Sequence, residues 1–404
     1  MQPVTLTSQR SRALEFGIYR DGDNNLNASQ AEVLAQARSV SAADSSIQFT
    51  VEDTGSDGRR VISEKYTMQD GDTSTVNGGT VDDMADPRNL AQFVKRTLDN
   101  AEASGAKQTW VDLVDHGAGD GGGLEADSFQ GIMPMPQIAA AIAEGVKLHA
   151  QEHPEDANRS IDGVVANQCL MSSMGFADAL SRAGVKYLAA SPETMLSPGV
   201  PSSVARDIAQ HLDDPAAMAK SVVNDVMQTR YDTPIGGIGP AAAFDVLDLD
   251  TTKLRAAEDA IKTFNDDAAR EARTSGATRA ALRDDVAGVR GMVRFSDATP
   301  DMPWHSDRPA MAVYDAMVED TRLDTTLRDD AAGASLAINA LVLAHRESPH
   351  FAPFDGSSYR DAAGPTIHAP VTHKQIDPWA PKVSETDNAF YKAVDQAKFV
   401  GAIA

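Results

Sequence analysis

Apolar runs alternate with segments of helical period through the first 250 residues. Leu14-Glu-Phe-Gly-Ile-Tyr19 predicts a strand that ends in the loop Arg20-Asp-Gly-Asp-Asn-Asn25, and residues 26–40 predict a helix. Ile47-Gln-Phe-Thr-Val51 predicts a second strand. Residues 54–79 are rich in Gly, Asp, Ser and Thr, and predict an excursion with a short strand at Lys65-Tyr66-Thr67. Asp86-Pro87 opens a helix to about residue 103, because an acidic cap precedes a proline at the first helical position. Trp110-Val-Asp-Leu-Val114 is the next strand, with Asp115-His116-Gly117 at its exit. A glycine-rich loop over 118–123 leads to a helix over 136–149. Ile161-Asp-Gly-Val-Val-Ala166 follows as a strand, with Asn167-Gln168-Cys169 at its end and a helix to about residue 183. Tyr187-Leu-Ala-Ala-Ser191 is a further strand, ending in a loop over 192–201.

This alternation predicts an α/β fold with a mainly parallel central sheet, in which ligands lie at the carboxyl ends of the strands. His116 and Cys169 both fall there. Residues 251 to about 346 read as mostly helical and highly charged, and the Asp-Asp pairs at 266–267, 284–285 and 329–330 read as solvated helix faces. Ile367, between Gly364-Pro365 and Pro370, predicts one short strand. The expected organisation is an α/β core over 1–250 that carries both His116 and Cys169. A helical region over 251–404 then returns one strand, about 364–370, to that core.

Composition narrows the function. With 404 residues and 42% hydrophobic side chains the chain can bury a large core, which excludes a disordered or fibrous protein. The 59 acidic residues against 36 basic ones give a net charge of -23, which repels phosphate backbones and anionic lipid. Neither nucleic acid nor membrane is expected as a partner, whereas cationic groups and divalent ions suit the charge. The apolar run over 331–344 is shorter than the roughly 18 residues of a membrane span, and the N-terminus lacks the apolar core of a secretory signal. The expected location is the cytoplasm or export by a signal-independent route, or secretion if a leader was trimmed, and the expected state is a monomer. Cys169 is the single cysteine, so it is either inert packing or a nucleophile.

The neighbourhood of Cys169 favours the nucleophile. Its thiol is expected at a strand-to-helix turn, where a helix N-terminus lowers a thiol pKa. His116 lies 53 residues upstream at the end of another strand, and adjacent parallel strands bring the two ends together. Gly117 lets its backbone N–H approach a substrate carbonyl, supplying an oxyanion donor beside the N–H of Cys169.

The run Val111-Asp-Leu-Val-Asp-His116-Gly117-Ala-Gly119 resembles the histidine strand of the clostripain family, caspase-like cysteine peptidases related to gingipain, legumain and separase. Asn167-Gln-Cys169-Leu-Met171 is similar to that family's cysteine strand end. Further segments agree in order: Tyr19-Arg-Asp21-Gly-Asp23-Asn-Asn25-Leu26, Asp86-Pro87 with Leu90 and Phe93, Ser191-Pro-Glu193-Thr194 with Pro198-Gly199, and Gly364-Pro-Thr-Ile-His-Ala-Pro370. The resemblance implies a caspase-like αβα sandwich and a cysteine endopeptidase acting on protein or peptide through a His116–Cys169 dyad and an acyl-enzyme. A non-catalytic relative that binds peptides is the alternative.

Two departures qualify what the resemblance implies. Arginine-specific members carry an aspartate two residues before the cysteine, where this chain has Asn167, so the preference at P1 (the residue before the cut) is either basic or altered to neutral or polar. Glu193, with Ser191, is the candidate for a replacement S1 charge. No Lys or Arg lies between His116 and Lys147, so the family's maturation cut lacks a suitable residue there, and a single-chain enzyme or cleavage by another protease is expected. The nearest basic residues are Lys147, inside a predicted helix, and Arg159.

The resemblance also allows calcium at an unplaced carboxylate site. Asp21, Asp23, Asn25 and Glu32 match EF-hand spacing, but Leu26 stands where that loop needs glycine and a strand precedes it. His149 and His153 have i, i+4 spacing without the adjacent glutamate of zinc proteases, and read as a wet helix end. His305, His345, His350, His368 and His373 read as ordinary loop or surface residues, and Trp304 and Trp379 as packing anchors.

Overall fold

The computed structural model describes residues 11–56, 61–80, 82–126, 131–231, 241–289, 291, 306–348, 364–371 and 388–404. Trp304, Trp379, His305, His350 and His373 lie outside the described residues. Strand β1 (Leu14–Gly22) leads through α1 (Asn27–Ala43) to β2 (Ile47–Ser56), which turns into a hairpin of β3 (Val61–Gln69) and β4 (Asp72–Thr80). Helix α2 (Pro87–Ser104) returns the chain to β5 (Gln108–Val114). A small hairpin, β6 (Gly123–Ala126) and β7 (Gly131–Met133), precedes α3 (Met135–Glu152), β8 (Gly163–Asn167), α4 (Met174–Arg182) and β9 (Tyr187–Ala190). Helices α5 (Val204–Gln210) and α6 (Pro215–Gln228) lead to β10 (Ala243–Asp248). The C-terminal region holds α7 (Thr251–Thr274), α8 (Gly276–Gly288), β11 (Asp307–Pro309), α9 (Ala310–Glu319), α10 (Thr325–Asn339), β12 (Val342–Glu347) and β13 (Thr366–His368). It closes with α11 (Ala389–Ala393) and α12 (Gln396–Ile403).

Nine strands form the central sheet in the order β12-β10-β9-β8-β5-β1-β2-β3-β4. Five of them, from β9 to β2, run parallel, and two antiparallel strands extend each edge. The parallel strands are buried on both faces, which is why they read as near-continuous apolar runs. Along β5, Val111 and Leu113 face one core with Phe93 of α2, Ile138 of α3 and Phe176 of α4, whereas Trp110 and Val114 face the other with Val33 of α1, Ile208 of α5 and Val222 of α6. The result is the expected αβα sandwich. Among the described residues, no helix is long and apolar enough to cross a membrane.

Two expectations need correction. Residues 54–79 are no loose excursion, because β3 and β4 extend the sheet as a long hairpin on β2. The burial of Ser63, Tyr66 and Met68 on β3 is masked in sequence by the polar residues of β4, which forms the solvent edge. The strand at 366–368 does form, but it pairs with β11 in a separate two-stranded sheet. The strand that the C-terminal region adds to the central sheet is β12, antiparallel to β10, inside a stretch that reads as helical.

Short buried contacts tie β13 to the core. Thr366 donates its N–H to the Ser172 carbonyl at 2.8 Å, three residues beyond Cys169. His368, expected at the surface, is buried with Nδ1 2.8 Å from Asp307 Oδ1, and His345 on β12 has Nδ1 2.5 Å from Asp245 Oδ1.

Candidate active site

The parallel register places the two candidate catalytic residues. Val114 of β5 stands opposite Asn167 of β8, so His116 and Cys169 each lie two residues beyond a matched pair. The ladder continues past the strands, with the Asp115 N–H bonded to the Asn167 carbonyl at 3.3 Å. Gln168, buried, donates its side-chain amide to the His116 carbonyl at 2.9 Å and holds the histidine's backbone against the cysteine's strand end.

Gly117 occupies a position that only glycine fits. A β-carbon there would stand 2.3 Å from the Cys169 carbonyl oxygen and 2.9 Å from the Cys169 nitrogen. Gly117 also bridges Gly123, but the bonds of that bridge are made by neighbours, Ala118 N–H to the Gly122 carbonyl and Leu124 N–H to the His116 carbonyl. The bridge therefore leaves the Gly117 N–H unused beside the Cys169 backbone.

The ring of His116 has Nε2 2.8 Å from Asn25 Oδ1. An amide oxygen only accepts, so Nε2 carries the proton and Nδ1 is the ring's acceptor. Asn25 is held by a loop that is itself anchored: Asn24 donates its amide to Asp115 Oδ1 at 2.5 Å and to the Glu125 carbonyl at 3.0 Å, and accepts from the Leu26 N–H at 2.8 Å. Sequence reasoning singled out neither Asn25 as a partner of His116 nor Gln168. Their place in the shared Asp-Asn-Asn and Asn-Gln-Cys segments was the available signal.

Cys169 is half-buried, and its sulfur accepts from the Met195 N–H at 3.3 Å. Burial pushes the thiol up to about 11; the Met195 N–H opposes this, while the charges of Glu193 and Asp115 push the same way. That overturns the expectation of a thiol pKa lowered by a helix N-terminus. Helix α4 begins only at Met174, capped by Ser173, so four residues separate the cysteine from its first turn. Those residues instead pair with the loop after β9, through Leu170 N–H to the Glu193 carbonyl and Ser172 N–H to the Ser191 carbonyl, both at 3.0 Å. Leu170 adopts a left-handed φ of 68° at this bend.

The other candidate residues, Asn167, Ser191 and Glu193, are all buried at the strand ends beside the thiol. Asn167 is buried, with Oδ1 accepting from the Val200 N–H at 2.8 Å and Nδ2 donating to the Val200 carbonyl at 3.2 Å. Its amide thus clamps the loop over 195–201 to β8. Ser191 is buried and donates its hydroxyl to the Glu193 carbonyl at 2.8 Å. Glu193 is also buried, with Oε1 accepting from the Thr194 N–H at 2.8 Å, and its charge is felt at the thiol.

Behind His116 lies a set of buried carboxylates. Asp115 is pushed well above the usual carboxylate range by burial, reinforced by the charge of Asp21 and opposed by N–H groups of His116 and Glu125. Burial likewise raises Asp21 to about 7, with the Asp23 N–H opposing and the charges of Asp23 and Asp83 reinforcing. Asp21 Oδ2 is buried without a hydrogen-bond partner. An orphaned carboxylate oxygen among further carboxylates suits a hard cation such as calcium. An EF-hand is excluded, because β1 runs through to Gly22 and Glu32 stands exposed on α1.

No protein-family model matches the sequence, and no curated protein matches it. Among solved structures, an inactive zymogen C11 protease from Parabacteroides distasonis is similar over 95% of this chain and 98% of that one, at 15% identity and a TM-score of 0.66. Iotapain, a secreted C11 cysteine protease from Bacteroides thetaiotaomicron, is similar over 95% of this chain and 99% of that one, at 18% identity and a TM-score of 0.64. A secreted C11 cysteine protease from the same organism in complex with an irreversible peptide inhibitor gives the same coverage, at 13% identity and a TM-score of 0.64. The chain therefore has the caspase-like fold of the C11, clostripain-family, cysteine proteases.

Proposed function

We propose that the protein is a clostripain-type cysteine endopeptidase. The observation that carries this reading is the matched register of β5 and β8, which sets His116 and Cys169 at one sheet edge with Gly117 against the cysteine's backbone. With the resting thiol protonated, substrate binding comes first and the thiol proton passes to His116 Nδ1. The sulfur then attacks the scissile carbonyl carbon, and the N–H groups of Gly117 and Cys169 receive the oxyanion. The C–N bond breaks as His116 returns its proton to the leaving amine. A water molecule, deprotonated by His116, cleaves the thioester and restores the thiol.

The charge of Glu193 at the thiol favours a basic P1 side chain, and Asn167 contributes to the site by holding the loop after β9. Calcium would be held by Asp21 with Asp23 and Asp115, where it would supply positive charge behind the strand end that carries His116. The high thiol pKa and the Met195 contact favour a second reading, a latent enzyme that awaits activation.

A P1-varied peptide library, incubated with the purified protein with calcium or with chelator, tests the proposal. Cleavage after Arg or Lys, lost in Cys169→Ala and weakened in Glu193→Gln, is the expected result. Cleavage after neutral residues would overturn the basic assignment, and undiminished cleavage by Cys169→Ala would overturn the mechanism.

A further inference from the structure

The opposite edge of the sheet carries a second cluster of chemistry. Helices α2 and α3 each lead into the start of a parallel strand, so their C-terminal ends lie at the edge away from His116 and Cys169. The helices cross closely at Gly145, where a β-carbon would stand 2.6 Å from the Ala91 carbonyl oxygen and from Val94 Cβ. One turn further on, His149 meets the last turns of α2. It is fully buried, not the wet helix end its spacing suggested.

His149 Nδ1 is 2.8 Å from Asp99 Oδ1. The carboxylate accepts, so the proton sits on Nδ1 and the lone pair on Nε2. That Nε2 is buried and makes no hydrogen bond, with Asp156 Oδ2 3.5 Å away. Glu102, His149 and Asp156 present ligand atoms within 4.8 Å of one another. His153 stacks on His149 with ring centroids 4.8 Å apart, and its Nδ1 is 2.6 Å from Glu102 Oε2. Around these stand Glu152 and Glu155, and two cations: Lys95, 2.7 Å from both Asp99 and Glu152, and Arg159, bonded to Asp156. Five carboxylates against two cationic side chains leave the cluster negative.

We propose that the C-terminal ends of α2 and α3 form a Zn²⁺ site in which His149 Nε2, Glu102 and Asp156 are ligands, water takes the fourth position, Asp99 holds the His149 ring, and His153 stacks on that ring. A buried imidazole lone pair oriented by a carboxylate, facing two further carboxylates, is the donor set of a nitrogen- and oxygen-ligated zinc ion. The ion displaces the Arg159 contact on Asp156 and joins two helices and the turn over 154–156. Its place at the far edge of the sheet makes it a structural ion, separate from hydrolysis.

The test titrates chelator-treated protein with Zn²⁺, in parallel with Cys169→Ala, because the active-site thiol and imidazole are a competing zinc-binding pair. One equivalent bound per chain in Cys169→Ala is expected, with Co²⁺ giving visible d–d absorption and Zn²⁺ raising the unfolding temperature. Binding should weaken about 10- to 100-fold in Asp99→Asn and at least as much in Glu102→Gln. Glu102 is only partly buried, so that variant keeps the test open if changes at His149 prevent folding. No binding by Cys169→Ala at about 0.1 mM Zn²⁺, or binding that Glu102→Gln and Asp99→Asn leave unchanged, would overturn the site.

Discussion

The resting state of Cys169 makes a sharp prediction about alkylation by iodoacetamide. A thiol at about 11 is ionised roughly 0.03% of the time at about pH 7.5, against roughly 10% for an unperturbed cysteine. Thiolate fraction alone would slow the reaction about 300-fold, and the greater nucleophilicity of a more basic thiolate restores about ten-fold. The expected rate is therefore about 20- to 30-fold below that of free cysteine, rising with pH to a plateau only near 11. Glu193→Gln removes a charge that raises the thiol, so its rate at neutral pH should increase and its plateau move to lower pH. Mass spectrometry of the single cysteine over time measures the rates directly. Alkylation faster than free cysteine at mildly acidic pH would refute the reasoning, because it requires a thiolate–imidazolium pair already formed without substrate.

Other perturbations follow from the same geometry. Asn25→Ala removes the acceptor on His116 Nε2 and should lower kcat/KM about 10- to 100-fold, whereas Asn25→Asp keeps an acceptor, restores much of the rate and moves the pH profile upward. Gly117→Ala drives a methyl group into the Cys169 peptide and should reduce kcat at least about 100-fold, read as peptide hydrolysis at saturating substrate. Asn167→Asp replaces the donor to Val200 with a buried charge near Asp112, itself raised by burial, and should destabilise the fold by about 1–3 kcal/mol in chemical denaturation. Burial raises Glu15 to about 8, so the folded state holds that proton more tightly than the unfolded chain. Stability from this group is complete below about 4.5 and declines as pH rises towards 8; Glu15→Gln should remove that decline, roughly 5 kcal/mol over the whole window, measured as unfolding free energy against pH.

Much of this architecture is local in origin. Strands β1, β5, β8 and β9 are buried on both faces and announce themselves as short apolar runs, and α2 is bounded by Asp86-Pro87 and Gly105, a cap and a left-handed stop. Because parallel strands share a direction, knowing that His116 and Cys169 follow two of them is enough to put both at one edge. Strands β4 and β12 were hidden because edge strands bury little, so their polarity resembles that of loops or helix faces, and the buried positions of β3 were masked by the polar partner strand. Long-range contacts alone decided the surroundings of the site. Asn25 and His116 are 91 positions apart, and Met195 reaches Cys169 across 26. No spacing rule reveals that Asn167 is spent on Val200, that the thiol sits on a backbone N–H and is pushed up by burial, or that His149 is sealed between helices. Strand direction follows from residues near in sequence, whereas ionisation follows from whatever distant groups packing brings within a few ångströms, and that information exists only in the folded chain.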